Sequence, residues 1–218
     1  MAAASFESAA SAMDQMALPF DWPAPQNADS FIVTTANKAA ADGLDSSARW
    51  PVRAAILTGP RKSGRSLIGR IFAAKSGGTL IDDGETHREA DIFHRWNIAQ
   101  EERRPLLIVA LSPPPIWKVR LSDLSSRLAA TPIFTIGEPD DLLTAMLLEK
   151  LLGQRGLQVT PEVTAYLAAR IERSYIAIMR VVDALDTAAL SKHRAITVRL
   201  ARVVLQELHM LDDLGEKA

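Results

Sequence analysis

Short apolar runs alternate with amphipathic segments through the first two thirds of the chain. Continuous apolar runs are typical of strands buried on both faces, and their alternation with helices is typical of a parallel sheet. The predicted strands fall at about 53–58, 79–82, 106–111 and 133–136, and the predicted helices at about 36–47, 64–75, 86–102 and 121–128. We therefore predict an α/β fold with a parallel sheet of about four strands.

The pattern changes after Pro139, where helical spacing continues with no strand between the segments. Four helices are predicted at 140–154, 160–172, 174–192 and 197–208, with Asp140, Thr160 and Thr197 as caps. The chain thus divides into a tail at 1–27, an α/β base at 28–138, an all-helical subdomain at 139–210 and a C-terminal end at 211–218. We expect the tail to be disordered and the C-terminal end to be flexible.

Composition excludes several classes of function. The formal net charge is −1, which argues against a broad electrostatic grip on DNA. There are no cysteines and only four scattered histidines, so no metal-ligand spacing is present. No apolar run approaches the roughly 20 residues of a membrane-spanning helix, and the N-terminus lacks the pattern of a signal peptide. We expect a cytoplasmic protein without membrane association.

The segment with the clearest chemistry is Gly-Pro-Arg-Lys-Ser-Gly-Arg-Ser at residues 59–66. It lies between a predicted strand and a predicted helix with the spacing G-x-x-x-x-G-x-[ST], as a phosphate-binding loop requires. Arg65 stands where such loops carry lysine, and its planar guanidinium is not equivalent to an ammonium in a tight loop. The candidate phosphate-binding residues are Gly59, Pro60, Gly64, Arg65 and Ser66.

A pair of acids follows the second predicted strand. Asp82 is a candidate for orienting Mg²⁺ together with the Ser66 hydroxyl, and Asp83 stands beside it. Ligands of open α/β sheets bind at the carboxyl ends of strands, where both motifs fall. Two interpretations compete with this one. The acids could simply form a turn, or residues 79–82 could be a different strand of the sheet, which would remove both acids from the site.

The tail contains one short apolar segment, Gln15-Met16-Ala17-Leu18-Pro19-Phe20. Extended peptides bind partners by placing alternate side chains in pockets, and a proline lowers the cost of ordering them. The alternative is that Leu18 and Phe20 attach the tail to its own domain. The pattern alone does not choose between the two.

Taken together, the phosphate loop, the Ile-Asp-Asp strand end and the helical subdomain resemble the AAA+ ATPases. More narrowly, the chain resembles the ATPase module of the DnaA-related family, and most closely its short Hda-type members. The resemblance implies that Val33 and Asn37 belong to an adenine site. It also implies that Arg127, within Leu-Ser-Asp-Leu-Ser-Ser-Arg-Leu at 121–128, is an arginine finger.

The same resemblance has implications for ligands and partners. It implies ADP or ATP with Mg²⁺ as the ligand and DnaA as a partner, and it leaves homo-oligomerisation open. It also assigns Gln15, Leu18, Pro19 and Phe20 to docking on the DNA sliding clamp. No DNA-reading helix-turn-helix follows residue 208. We therefore expect no sequence-specific DNA binding.

Three departures from the family pattern accompany Arg65. The position of the second sensor arginine holds Ile176, and that of the first sensor holds Ser112. The interval between the loop and Asp82 is too short for the family's extra strand and helix. That missing strand lies at the edge of the family's sheet, so its loss leaves a four-stranded parallel core.

These features lead to a main hypothesis with two alternatives. The main hypothesis is a regulator of replication initiation that docks on the clamp and promotes hydrolysis of DnaA-bound ATP through Arg127 in trans. The protein's own site then need not be an efficient ATPase. The alternatives are a non-hydrolysing adaptor that links the clamp or DnaA to other factors, and a weak ATPase in its own right.

Overall fold

The computed structural model describes residues 31–192 and 195–210. The predicted disordered tail, the predicted clamp-docking residues Gln15, Leu18, Pro19 and Phe20, and the predicted flexible end at 211–218 lie outside the described residues.

Four parallel strands form one sheet in the order β2-β3-β1-β4. The strands are β1 (Ala54–Thr58), β2 (Thr79–Ile81), β3 (Leu106–Val109) and β4 (Ile133–Thr135). β2 pairs directly with β3, in the register Thr79 to Leu106, so the sheet closes without a further strand. The prediction of a four-stranded parallel core is confirmed.

Eight α-helices accompany the strands in the described part of the chain. Those of the base are α1 (Lys38–Asp45), α2 (Arg65–Ser76), α3 (Glu89–Glu101) and α4 (Ser122–Ala129). Those of the C-terminal subdomain are α5 (Asp141–Gln154), α6 (Pro161–Ala168), α7 (Tyr175–Lys192) and α8 (Val198–Glu207). The largest differences from prediction are that α3 starts three residues late and α6 ends four residues early. Single 3₁₀ turns lie at Ser47–Arg49 and Gly84–Thr86.

The two faces of the sheet are covered by different helices. On β1, Ala55 and Leu57 pack in the core that contains α1 and α2, while Ala54 and Ile56 pack in the core that contains α3 and α4. Successive strand side chains point to opposite faces. Burial of both faces explains why the central strands β1 and β3 read as continuous apolar runs rather than as alternating ones.

The C-terminal helices α5–α8 have a core of their own, built around residues such as Leu148, Val181 and Leu205. Two of the predicted caps make their bonds. The Asp140 carboxylate accepts the amide of Leu143 at 2.7 Å, and the Thr197 hydroxyl accepts that of Leu200 at 3.3 Å. Thr160 occupies the N-cap position of α6 without a side-chain cap bond. No helix in the described ranges is long and apolar enough to cross a membrane.

Candidate functional site

The loop between β1 and α2 follows a backbone path that depends on glycine at both ends. Gly59 has φ 151°, and a Cβ atom there would lie 2.8 Å from the carbonyl oxygen of Ile136. Gly64 has φ 85° and caps the N-terminus of α2. Lys62, between them, also has positive φ, at 66°. A loop of this shape in front of a helix N-terminus presents amides to an anion, which is the predicted function of residues 59–66.

Ser63 gives this loop an unusual feature. It is buried, and its hydroxyl is the one buried side-chain polar atom in the described residues that has no hydrogen-bond partner. A buried hydroxyl without a partner costs free energy unless a ligand or water satisfies it. The Ser63 hydroxyl therefore fits a loop built to receive polar atoms from a ligand.

Arg65 stands at the position where phosphate-binding loops usually carry lysine, and its side chain hydrogen-bonds the main chain at the end of a strand of the sheet. Its guanidinium donates a hydrogen bond to the main-chain carbonyl of Ala110, directly after β3. Ala110 is fully buried, so the arginine satisfies a carbonyl that would otherwise lack a partner. Arg65 thus has a structural bond that ties the loop to the central strands.

Of the two predicted acids, only Asp82 contacts the loop. The Ser66 hydroxyl donates to Asp82 Oδ1 at 3.0 Å, and Arg70 Nη1 lies 4.0 Å from Asp82 Oδ2. Asp83 is exposed, has positive φ at 50°, and donates its amide to the Asp82 carboxylate. The structure therefore brings Asp82 to the loop, against the interpretation that would remove it from the site. The Mg²⁺ role of Ser66 and Asp82 stays a prediction.

Glu85 is a residue of this edge that the sequence analysis missed. Its carboxylate accepts the amides of Leu111 and Ser112, the latter at 3.2 Å, and so fixes the segment after β3. Ser112 is the first-sensor position. In the sequence, Glu85 is recognisable only as an acid three residues beyond Asp82. Its partners lie 26 and 27 residues away, and no local pattern predicts them.

A cavity of about 300 Å³ opens beside the loop, between the α/β base and the C-terminal helices. Its base side includes Phe31, Asn37 and Gly64, and its helical side includes Leu143 and Tyr175. The cationic side chains that line it are Lys62, Arg70 and Lys150. Partial burial lowers the pKa of Lys150 from its ordinary value. A cavity lined by apolar side chains, by the loop and by three cations suits a ligand with a flat apolar part and an anionic part.

The two predicted adenine-site residues fall on different sides of Phe31. Asn37 lines the cavity, and its side chain also holds the local backbone, since it accepts the Thr34 amide at 2.9 Å and donates to the Ile32 carbonyl at 2.8 Å. Val33 lies outside this cavity, in a separate groove, and is 51% exposed. The geometry therefore assigns Asn37 to the cavity wall and does not bring Val33 to it.

Asp140 and Tyr175 join the C-terminal helices to the base. Asp140 Oδ2 accepts the Thr35 hydroxyl at 2.7 Å, and the Tyr175 hydroxyl donates to the Gly137 carbonyl at 3.1 Å. Partial burial alone would raise the pKa of the Asp140 carboxyl, but hydrogen bonds from Thr35, Leu143 and neighbouring groups outweigh it and hold the pKa below its ordinary value. Burial, helped by the Asp140 charge, raises the pKa of Tyr175 to about 12.

Arg127 lies on α4, on the opposite face of the sheet from α2. Its guanidinium is 4.8 Å from the ring centre of Phe93 and 4.7 Å from that of Trp96, both on α3. The start of α4 is fixed by Glu89, whose carboxylate accepts the amides of Arg120 and Leu121. These bonds lower the pKa of Glu89. Arg127 is thus oriented by aromatic faces and does not line the cavity beside the loop.

The second-sensor position also differs from the family pattern in space. Ile176 is 42% exposed and does not line the cavity. Of the nearby arginines, Arg173 pairs with Asp141 at 3.0 Å and Arg180 is exposed. None of these arginines takes the place of a sensor in the cavity wall.

Comparison with known proteins agrees with this architecture. Residues 141–205 match the family model described as Hda, lid domain. An uncharacterized protein of Haemophilus influenzae is 30% identical over 123 residues, which cover 56% of this chain and 53% of that protein. The match therefore spans about half the length of this curated relative.

Two solved structures share the fold. Domain III of the Thermotoga maritima replication initiation protein DnaA superposes with a TM-score of 0.68 at 14% identity, over 84% of this chain and 96% of that one. The replication initiator DnaA bound to AMPPCP and single-stranded DNA gives a TM-score of 0.59 at 14% identity, over 83% of this chain and 67% of that one. Residues 141–205 therefore match a lid of the Hda type, and the described chain shares the fold of DnaA domain III.

Proposed function

We propose that this protein regulates the initiation of chromosome replication by acting on DnaA. The support is the Hda-type lid over residues 141–205, together with the DnaA-like fold of the whole described chain. The finer proposal has three parts, which are a nucleotide held between base and lid, an arginine supplied to the partner's nucleotide, and a tail that binds the sliding clamp.

The cavity beside the loop is the proposed site of ADP or ATP. The loop amides and the Ser63 hydroxyl would hold phosphate oxygens, and the apolar wall around Phe31 and Tyr175 would hold the base. Ser66 and Asp82 would hold Mg²⁺, in keeping with their contact at 3.0 Å. Since base and lid both line the cavity, a bound nucleotide would stabilise their relative arrangement.

Efficient hydrolysis at this site is disfavoured by the hydrogen bond that the Arg65 side chain makes. Phosphoryl transfer depends on placing cations against the transferred group, and the Arg65 guanidinium is committed to the Ala110 carbonyl. Ile176 adds no charge at the second-sensor position. These two observations favour a site that binds nucleotide without turning it over quickly. They also support the second candidate function, an adaptor that links the clamp or DnaA to other factors.

The observation that carries the trans mechanism is the geometry of Arg127. Phe93 and Trp96 hold the guanidinium by its faces, and none of the ion pairs between the described residues includes Arg127. Aromatic faces orient an arginine without using its N–H groups. Those groups therefore remain for an anion on another molecule, as a finger supplied in trans requires.

The chemistry proposed for the complex takes place in the partner. Water attacks the γ-phosphorus of DnaA-bound ATP, the bond to the β–γ bridging oxygen breaks, and ADP and phosphate result. Arg127 would stabilise the charge that develops on the phosphoryl oxygens, an effect worth about 10³–10⁵ in rate for trans-acting fingers. The tail residues Gln15, Leu18, Pro19 and Phe20 would hold the protein on the clamp.

The main test measures hydrolysis of DnaA-bound ATP in the presence of the clamp. Arg127→Ala should abolish the stimulation and Arg127→Lys should restore little of it, because lysine lacks the planar fork. Arg95→Ala is the matched control, since it removes an exposed arginine from α3 and should leave the stimulation unchanged. Full stimulation of hydrolysis by Arg127→Ala would refute the proposal that Arg127 is an arginine finger.

Two further measurements separate the alternatives. A fluorescent ADP analogue should bind at micromolar concentrations, whereas no binding at millimolar concentrations would favour a nucleotide-free adaptor. Hydrolysis by the protein alone that disappears in Asp82→Asn would favour a weak ATPase. For the tail, Leu18→Ala and Phe20→Ala should each reduce retention on immobilised clamp, and equal retention would refute clamp docking.

A further inference from the structure

A second apolar depression lies next to the nucleotide cavity, on the outer surface between α1 and α2. This groove has a volume of about 410 Å³ and apolar walls. Its lining includes Phe31, Val33, Leu44, Ile68, Ile71 and Phe72. Its rim is polar, since Lys75 and Asp45 form an exposed ion pair at 2.9 Å. An apolar groove with a polar rim is the surface pattern of a binding site, and nothing in the proposed function uses it.

The position of the groove suggests what fills it. Phe31 is one of its walls and is also the first described residue, so the segment that precedes it is attached to the described chain at the groove. In that preceding segment the apolar side chains alternate, at Met16, Leu18, Phe20 and Trp22. An extended chain places alternate side chains on one side, where one groove can receive them. The nine steps from Trp22 to Phe31 can span about 30 Å, which is ample for a site that starts at Phe31.

We propose that residues 16–22 dock in the groove between α1 and α2 of the same chain, with Trp22 as the anchoring side chain. The consequence for clamp binding rests on the proposed function, because the docked segment contains Leu18 and Phe20, which are proposed to bind the clamp. A docked tail cannot bind the clamp, so the groove is an autoinhibitory site. Phe31 lines both the groove and the nucleotide cavity, and its ring lies 3.2 Å from the position that a Cβ on Gly64 would occupy.

The test uses the full chain labelled with 5-fluorotryptophan. Trp50, Trp96 and Trp117 are buried, which leaves Trp22 as the tryptophan whose environment the docking decides. Its ¹⁹F signal is assigned with Trp22→Phe. We expect this signal to be shifted from that of the free amino acid and protected from a soluble nitroxide. In Ile71→Glu, which places a charge in the groove wall, the shift and the protection should be lost.

Controls and contrary outcomes are built into the same experiment. Leu190→Glu, at a 59% exposed position on α7, should leave the Trp22 signal unchanged. Unaltered signals from Trp96 and Trp117, which pack on the other face of the sheet, show that Ile71→Glu is folded, and Phe20→Ala perturbs docking from the tail side if it is not. The proposal is overturned if the Trp22 signal of the unmodified chain has the chemical shift of the free amino acid. It is also overturned if neither Ile71→Glu nor Phe20→Ala changes that chemical shift. Protection that falls on dilution assigns the groove to a second copy and also overturns it.

The autoinhibitory part is measured separately with the sliding clamp. Ile71→Glu should bind the clamp more tightly than the unmodified chain, because docking reduces the fraction of chains whose tail is free and so reduces the apparent affinity by that fraction. Equal affinity of the two chains would overturn autoinhibition. If neither chain binds the clamp, the proposed function fails, while the ¹⁹F measurement still decides whether residues 16–22 dock in the groove.

Discussion

Replacement of Asp140 tests whether this residue joins the lid to the base. One of its carboxylate oxygens caps α5 through the Leu143 amide at 2.7 Å. The other accepts the Thr35 hydroxyl at 2.7 Å and the Ala36 amide at 3.3 Å. Asp140→Ala removes all three bonds at once, so both the start of the lid and its attachment to the base should be weakened.

The expected loss can be worked from these bonds. An N-cap replaced by alanine costs about 1 kcal/mol. The Thr35 bond adds about 1 kcal/mol once its exposure to solvent is discounted, and the long Ala36 bond adds little. Asp140→Ala should therefore lower the free energy of unfolding by about 2 kcal/mol, which corresponds to a fall in Tm of about 4–8 °C for a protein of this size.

Urea and thermal unfolding measure this loss, and a neighbouring acid provides the control. Asp141→Ala removes an ion pair with Arg173 in which both side chains are 66% exposed, and such pairs contribute about 0.5 kcal/mol or less. If Asp140→Ala destabilises the protein no more than Asp141→Ala, the bonds from Asp140 do not join lid and base as described.

Asp140→Asn separates the charge from the cap, because asparagine also caps helices well. The folded-state pKa of Asp140 is lowered, so the stabilisation from its charge is fully present above the unfolded pKa of about 3.9. It is lost as the pH falls through the lower folded-state pKa. The stability difference between the unmodified chain and Asp140→Asn should accordingly be constant from pH 7 to about pH 5 and shrink below pH 4. A difference that persists at pH 2 would contradict the assignment.

Three further substitutions have defined outcomes. Tyr175→Phe should lower the free energy of unfolding by about 1 kcal/mol, because a hydrogen bond is lost. Burial raises the Tyr175 pKa to about 12, so the free energy of unfolding of the unmodified chain should fall as the pH rises from about 10 toward that value. The variant should lack this fall. Gly43→Ala should cost about 1–3 kcal/mol in chemical unfolding, since its Cβ would lie 2.3 Å from the Phe134 ring. Arg65→Met should lower stability by about 1–3 kcal/mol because it leaves the buried Ala110 carbonyl without a partner. Its affinity for a fluorescent ADP analogue should change less than its stability.

The fold followed from the sequence because local pattern and overall architecture agree in it. The central strands β1 and β3 are fully buried, largely apolar runs, and the residues before α5 and α8, Asp140 and Thr197, make the expected N-cap bonds. Ser66 and Asp82 were expected to meet because both follow strands of one parallel sheet, and they lie 3.0 Å apart. These predictions needed only the spacing of residues along the chain.

The contacts that the sequence did not reveal are all between distant residues. The Arg65 guanidinium bonds a carbonyl 45 residues away, and Glu85 bonds amides 26 and 27 residues away. Residue type fixes which groups can donate or accept, but loop conformation decides which of them meet. A substituted arginine in a phosphate loop is therefore ambiguous until its partner is known.

Arg65 and Arg127 show how one residue type serves two purposes in this fold. The Arg65 guanidinium donates a hydrogen bond to a buried carbonyl, so this side chain stabilises the fold of the protein itself. Arg127 is held by the faces of Phe93 and Trp96, a contact that leaves its N–H groups for other acceptors. A donor that Arg65 gives to a buried carbonyl weakens the case for chemistry at the protein's own loop, whereas the orientation of Arg127 by aromatic faces strengthens the case for chemistry on a partner. This difference between the two arginines supports the proposal that the activity belongs to a complex with DnaA.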